Sequence, residues 1–310
     1  MIIITAYHGR GDDPASERRR GYLRNTIRSV DAQSISALLH IIVDDGSTDG
    51  SCEEIKKHDA GLTPRVYLRR EKQPGEDLSS TLARNFALAY CEEEKLISAT
   101  GSAASRYVTF IDADDLVVSL GERLKAARQQ HAAFVHSDCL IFFDDVERVY
   151  FWNGEAANPR RLRNRMWVWA SMPYPTMTWR ADFLLSLKAY VKKQYGVDGP
   201  FDPTIGCGED VDIALSSLEH LSATFTMAYV PMVTAAYRIH DSSLAAVRDG
   251  RTRRFEEESV LIRHFGPWQT KLMHVRRFLV RPECYVPSLW GLKNSLRRQT
   301  RKSDYNFLKK

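Results

Sequence analysis

Along the first 130 positions, apolar residues fall into two alternating kinds of run. Ile2–Tyr7, Leu38–Val43, Arg65–Leu68 and Tyr107–Ile111 are short and rich in Ile, Val, Leu, Tyr and Phe. That is the composition of strands covered on both faces. Between them, apolar positions recur at helical spacing. Leu23, Ile27 and Val30 do so within Tyr22–Ala32, and Leu78, Leu82, Phe86 and Ala89 within Leu78–Cys91. Further helices are predicted over Ser51–Lys57, with Ser51 and Glu54 at capping-box spacing, and over Leu120–Gln130. Residues 92–105 read as a loop. Strands alternating with helices predict an α/β fold: βαβ units around a mostly parallel sheet flanked by helices.

Beyond residue 132 the pattern is mixed. Ala133–His136, Cys139–Phe143 and Arg148–Trp152 predict a short meander, and 153–178 a loop. Ala181–Tyr195 and Asp210–His220 predict helices, and Thr224–Tyr229 and Met232–Tyr237 strands. From Thr252 onward the chain predicts helices broken at Pro267, Pro282 and Pro287. This places a domain over residues 1–249, divided near 131, followed by a basic helical extension over 250–310.

Composition narrows the class. The 310 residues are 44% hydrophobic, enough for a sizeable core. Cys52, Cys91, Cys139, Cys207 and Cys284 are odd in number and form no CxxC pair. That argues against a disulfide framework or a structural zinc site and fits a reducing compartment. The N-terminal "MIIITAYHGRGDD" lacks a basic n-region, and no window approaches ~20 apolar residues. A cytoplasmic location is therefore expected. The net charge of +5 is uneven: residues 251–310 hold fifteen Lys/Arg against five Asp/Glu, leaving a mildly acidic body. Within this tail Val275, Phe278, Leu279, Leu289, Leu292 and Leu296 stand at helical spacing. Two readings are open. The helices pack on the domain with Lys and Arg outside, or they dock peripherally on an anionic bilayer. No nucleic-acid-binding motif is present, so no nucleic-acid partner is expected.

Three acidic clusters carry the candidate chemistry. Asp44 and Asp45 follow a strand, as do Asp112, Asp114 and Asp115 in "FIDADD"; Glu209, Asp210 and Asp212 open a helix in "GCGEDVD". Any one alone reads as helix capping or turn chemistry. Two at the strand ends of one parallel sheet would repel across the same edge, where such sheets bind ligands. A divalent cation of the Mg²⁺ or Mn²⁺ type, with phosphates, neutralises that repulsion. A calcium loop starting at Asp45 is excluded, because Lys56 stands where the bidentate Glu must be.

In order along the chain come "IIVDDGSTDGS", "LARNFAL", "YVTFIDADD", "GED" and "YRIHDSS". Over roughly residues 1–245 this resembles the GT-A fold glycosyltransferases of family 2, inverting enzymes that use nucleotide-sugars. The resemblance implies a Rossmann-like fold with a nucleotide-binding half of about 1–131 and an acceptor half of about 132–249. Thr5 and Tyr7 would border the base, although the family's Pro-x-Tyr-Asn is here "TAYHGRGD". Asp44 would hydrogen-bond the base, uracil N3–H in a UDP-sugar, with Asp45 supporting the loop. Arg84 would lie near the diphosphate or base, and Asp112 near the ribose. Asp114 and His240 would hold Mn²⁺ or Mg²⁺, and Asp210 would be the catalytic base. Phe86 and Ala87 stand where the family commonly has Gly, which implies different local packing.

The implied chemistry is self-consistent. Charge grows on the leaving diphosphate, which a Lewis acid stabilises. The acceptor hydroxyl loses a proton to a carboxylate, worth ~10²–10⁴-fold. The expected partners are a nucleotide-sugar donor and a saccharide or lipid-linked acceptor, in surface-polysaccharide or glycoconjugate synthesis. Glu209 is the alternative base. His136 and Asp138 read either as donor-sugar contacts or as strand-end polarity. Trp167, Trp169, Tyr174 and Trp179 read mainly as core, with one or two as an acceptor platform. "RRLRNR", Arg160–Arg165, reads as a solvated helix face or a phosphate site. Two rivals stand beside this reading: a sugar-nucleotide nucleotidylyltransferase of similar fold, and a non-catalytic membrane-docking scaffold.

Overall fold

The fold is that of a computed structural model, which describes residues 1–280 apart from 14, 36–37, 58–62, 74–75, 77–79, 145–148, 153–157, 170–171 and 244–249. It opens with β1 (Ile2–Tyr7), α1 (Ser16–Asp31), β2 (Leu39–Asp45), α2 (Ser51–Lys57), β3 (Arg65–Arg70), α3 (Thr81–Glu93) and β4 (Tyr107–Phe110). These four strands run parallel in the order β3-β2-β1-β4. Nearly every residue of β1, β2 and β4 is buried, as their unbroken apolar runs require. The register sets Tyr7 opposite Asp44 and Ile4 opposite Phe110. The carboxyl ends of β1, β2 and β4 therefore open on one edge of the sheet.

The second half adds β5 (Leu116–Val117), α4 (Leu120–Gln129), β6 (Phe134–Phe143), β7 (Val149–Trp152), α5 (Pro159–Trp169), β8 (Thr178–Arg180), α6 (Ala181–Tyr195), α7 (Glu209–His220) and β9 (Met227–Ile239). The sheet continues past β4 as β8-β6-β9-β5, with β7 on β6. β8 is antiparallel to both β4 and β6, so the sheet is mixed.

Four sequence-based expectations change here. β6 is one strand rather than two, and so is β9. Ser137 pairs with Val230 and Asp138 with Val233, so a bulge on β9 absorbs Pro231 and Met232. Proline is tolerated at such an irregularity, which is why the residue reads as a break yet does not end the strand. A helix, α5, lies within the stretch expected to be loop; Pro159 at its first position is a good helix start. The buried stripe of α3 is Ala83, Arg84, Ala87, Leu88 and Cys91, while Phe86 is 39% exposed. Small residues let this helix lie close on the sheet. The Ser51 hydroxyl donates to Asp49 and bonds Tyr7 Oη at 2.8 Å, while the Glu54 side chain of the expected capping box lies outside the described residues.

At the other end, α8 (Gly250–Phe265) and α9 (Pro267–Val280) are joined by Gly266 at φ +79°. The predicted break at Pro267 is present. Val260, Leu261, Phe265 and Met273 join the main core with Val211, Leu215 and Leu218 of α7. Arg263 Nη1 reaches Asp212 Oδ1 at 3.1 Å and bonds Asp202 through Nη2. His264 sits between Asp212 (3.0 Å) and Glu219 (3.1 Å). Through these residues α8 and α9 share the domain's core, while Leu289, Leu292 and Leu296 lie outside the described residues. No helix among the described residues is long and apolar enough to cross a membrane.

Candidate active site

The residues that end β4 and open α7 face each other through one arginine. Arg84 projects from α3 and is buried. Its Nη2 donates to Asp112 Oδ1, and its Nη1 lies 3.4 Å from Glu209 Oε1. The guanidinium stacks 4.2 Å from the Tyr174 ring centroid. A buried, bidentate cation of this kind holds two carboxylates that would otherwise repel. Ser80 Oγ stands 3.5 Å from Glu209 Oε1.

Beyond Asp112, the chain turns through Asp114 and Asp115 before β5. One carboxylate oxygen from each of the three lies within 4.8 Å of the others. His240, at the end of β9, places Nε2 2.8 Å from Asp114 Oδ2 and Nδ1 2.9 Å from Ser242 Oγ. Asp115 is fully buried; its Oδ1 accepts from the Arg238 backbone N–H at 2.9 Å, and its Oδ2 has no hydrogen-bond partner. Burial, then the neighbouring Asp114 and Asp112, holds the Asp115 carboxyl well above the usual carboxylate range. The residues fit a hard divalent ion: clustered carboxylate oxygens, one imidazole, and an orphaned buried oxygen.

Asp210 lies in the first turn of α7, after Gly208 in the left-handed region at φ +93°. Its Oδ1 accepts from the Val211 N–H at 2.9 Å. Burial, then the like charge of Glu209, pushes its pKa up to about 7. Glu209 is engaged by Arg84, so of the two acids Asp210 is the one shaped as a proton acceptor near neutrality.

The edge formed by β1 and β2 is built differently. Asp44 accepts from the Ser47 N–H (2.8 Å) and from Arg69 Nη1 (2.7 Å). Asp45 binds Arg70 Nε and Lys72 Nζ, the latter at 3.2 Å. Tyr7 is buried and donates to Asp49 Oδ2 at 2.8 Å. Thr5 has no exposed surface, and its Oγ1 pairs with His40 Nε2 at 3.0 Å. Thr5 therefore ties β1 to β2 and Tyr7 braces the β2–α2 loop, both from buried positions. His136 and Asp138 are buried in β6, and Asp138 accepts from Tyr229 Oη at 2.5 Å. Tyr174 and Trp179 are core residues. Arg163 of α5 donates to Glu219 (3.2 Å) and to the His264 carbonyl (2.7 Å), a structural use of the basic run.

Of the predicted site residues, the structure brings Arg84, Asp112, Asp114, Asp210 and His240 into one neighbourhood with Glu209. Asp44, Asp45 and Tyr7 stand together on the adjoining strand ends. Sequence reasoning placed Asp115 in the acidic cluster but gave it no role of its own. It missed Arg69 and Arg70, which the register of β3 sets directly opposite Asp44 and Asp45.

The fold and this acidic edge define a GT-A glycosyltransferase architecture. Residues 2–119 match the family model described as glycosyl transferase family 2. Among solved structures, S. aureus TarS 1-349 is similar, with 12% identity over 91% of this chain and 72% of that one, at a TM-score of 0.57. The same protein in complex with UDP-GlcNAc gives 13% identity over 84% and 65%, at a TM-score of 0.59. The longer TarS chain gives 14% over 85% and 43%, at 0.53. No curated protein sequence matches.

Proposed function

We propose that the chain is an inverting glycosyltransferase of the hexosyl type. It moves a sugar from a nucleotide-diphospho-sugar, a UDP-sugar in the first instance, to a hydroxyl acceptor in surface-polysaccharide or glycoconjugate synthesis. One observation carries this reading. A half-buried carboxylate with pKa about 7, Asp210, stands across the Arg84 bridge from a cation-binding carboxylate group. Asp114 and His240, with Asp115 or Asp112, would hold Mn²⁺ or Mg²⁺, which when bound stabilises charge on the departing diphosphate. Arg84 keeps Asp112 and Glu209 in place without protonating either. Asp210 takes the proton of the acceptor hydroxyl as it attacks the anomeric carbon. A single displacement from the face opposite the leaving group inverts that carbon. Asp44, oriented by Arg69 and Ser47, is the base-recognising group, with Asp45 fixing its loop.

Structures of TarS hold UDP-GlcNAc and UDP, which puts UDP-sugars first among donors to test. The experiment is a thermal-shift and UDP-release screen of UDP-, GDP- and dTDP-sugars with and without Mn²⁺. A donor at 100 times its Kd raises stability by about 2.7 kcal/mol. Mn²⁺-dependent stabilisation and UDP release support the reading. No binding by any nucleotide-sugar refutes it. Pyrophosphate-dependent formation of a nucleoside triphosphate would instead support the nucleotidylyltransferase.

The membrane reading of the tail gains one specific support. On α9, Trp268, Leu272 and Val275 are 81%, 59% and 55% exposed at i, i+4 and i+7, and Lys271 Nζ lies 5.4 Å from the Trp268 ring centroid. Residues 267–310 carry eleven Lys/Arg against two Asp/Glu. Such a face suits the interface of an anionic bilayer, where a lipid-linked acceptor lies, on the cytoplasmic side. Co-sedimentation with phosphatidylglycerol vesicles, lost in Trp268→Glu and absent with phosphatidylcholine, is the expected result. Equal recovery of wild type and variant refutes it. Vesicle binding by a protein that binds no donor would favour the scaffold.

A further inference from the structure

Behind the Asp114–His240 pair lies a second set of contacts that the reaction scheme does not use. Arg238 Nε donates to the Asp114 carbonyl oxygen at 2.9 Å, and its backbone N–H to Asp115 Oδ1 at 2.9 Å. Its guanidinium lies between two rings, 4.4 Å from the Tyr22 centroid and 4.6 Å from that of Phe142. Nη1 reaches Asp144 Oδ1 at 3.2 Å. The other oxygen of Asp144 accepts the Tyr22 hydroxyl. The Tyr22 ring in turn packs on the His240 imidazole, with centroids 4.8 Å apart. The circuit closes: Asp144 holds Tyr22 and Arg238, Tyr22 sets the plane of His240, and Arg238 sets the backbone of Asp114.

We propose that Asp144, Tyr22 and Arg238 are positioning residues that hold His240 and Asp114 in metal-binding geometry before the ion arrives. The inference rests on the proposed metal role of Asp114 and His240. Its physical basis is twofold. A ligand imidazole free to rotate, or a carboxylate loop free to shift, must be ordered when the ion binds, and that entropy lowers affinity. The four parts come from α1, the 112–115 turn, the end of β6 and the end of β9. No single element can hold this geometry alone. Asp144, at the end of β6, is exposed at the periphery of the circuit, so removing its charge leaves both proposed ligands intact.

The test is Mn²⁺ affinity of the whole chain, read by electron paramagnetic resonance of the free ion. Asp144→Asn and Tyr22→Phe are each expected to raise the Mn²⁺ Kd about tenfold, the low end of what outer partners of metal ligands contribute. The double variant should raise it no further than Asp144→Asn alone, because that change already weakens both the Tyr22 hydrogen bond and the Arg238 ion pair. In UDP release from UDP-GlcNAc, the Mn²⁺ concentration for half-maximal rate should rise while kcat at saturating Mn²⁺ is retained. A merely structural role would lower Tm and kcat without that split. Asp114→Asn separates the two levels of inference. If it abolishes Mn²⁺ binding while Asp144→Asn and Tyr22→Phe bind as wild type, the positioning role is overturned alone. If Asp114→Asn also binds as wild type, the proposed metal site falls, and the positioning role with it.

Discussion

The pH dependence of turnover is the sharpest test of the Asp210 assignment. A general base must be ionised to accept a proton, so kcat/KM rises on the acid side with the fraction of carboxylate. With a pKa of about 7, Asp210 is about one-eleventh ionised at pH 6 and about ten-elevenths at pH 8. The rate should therefore climb about tenfold across that interval. An ordinary carboxylate, with pKa near 4, would be fully ionised at both and give a flat profile. Glu209 supplies the second largest part of the shift after burial, so Glu209→Gln should move the acid limb to lower pH. Arg84 would then retain Asp112 as its carboxylate partner, keeping the guanidinium satisfied. The assay is steady-state UDP release from UDP-GlcNAc at saturating Mn²⁺ from pH 5 to 9, on wild type, Glu209→Gln and Asp210→Asn. A divalent ion at Asp114 draws the limb down by through-space attraction, so its position in the loaded enzyme marks a lower bound on the apo value. An acid limb below pH 5 that is indifferent to Glu209→Gln would refute the reasoning. So would an Asp210→Asn variant with near-wild-type turnover.

Three further outcomes follow from the packing. His264→Gln removes one partner from buried Asp212 and half-buried Glu219 and should cost about 3 kcal/mol by urea denaturation, the low end for a broken buried pair because Arg263 still reaches Asp212 and Arg163 still reaches Glu219. The native His264 pKa is raised, since its bonds to Asp212 and Glu219 outweigh burial. Its contribution is therefore full below about pH 6.5 and lost as pH rises through the native value, so the deficit of the variant should shrink at high pH. Arg84→Lys cannot span Asp112 and Glu209 with one ammonium and should destabilise by about 1–3 kcal/mol, seen as a lower Tm. A chain cut after Asp249 loses Val260, Leu261, Phe265 and Met273 from the core and should lack a cooperative thermal transition by circular dichroism.

What the sequence made legible is local. The four parallel strands, the helices between them and the carboxylates at their ends follow from runs and spacings a few residues long. What it hid depends on distant partners. Asp202, Asp212 and Glu219 look like ordinary surface acids until Arg263 and His264 close on them from α8. The inner side of α3 carries Ala83, Arg84, Ala87, Leu88 and Cys91, and an apolar count favours Leu82 and Phe86 instead. Small residues carry little hydrophobic signal, yet they are what close helix–sheet contact needs. Pro231 reads as a strand end because its missing N–H is visible in the sequence, whereas the bulge that accommodates it is not.

The cations of this edge set apart the two acids proposed as metal ligand and base. Asp44 has Arg69, Asp45 has Arg70 and Lys72, Asp112 and Glu209 share Arg84, and Asp144 has Arg238. Each such pair holds its carboxylate in a fixed direction, which suits recognition or positioning. Among the described residues, no Lys or Arg side chain pairs with Asp114 or Asp210. Asp114 has only the His240 imidazole, a group that can turn from hydrogen-bond partner to fellow ligand when an ion enters. Asp210 has only a backbone N–H and a like-charged neighbour, the setting that raises a carboxyl toward neutrality. An edge whose sole purpose was stability would pair those two as well. The absence of Lys or Arg from Asp114 and Asp210 fits the proposed cation site, which the uncompensated Asp115 adjoins, and the proposed base.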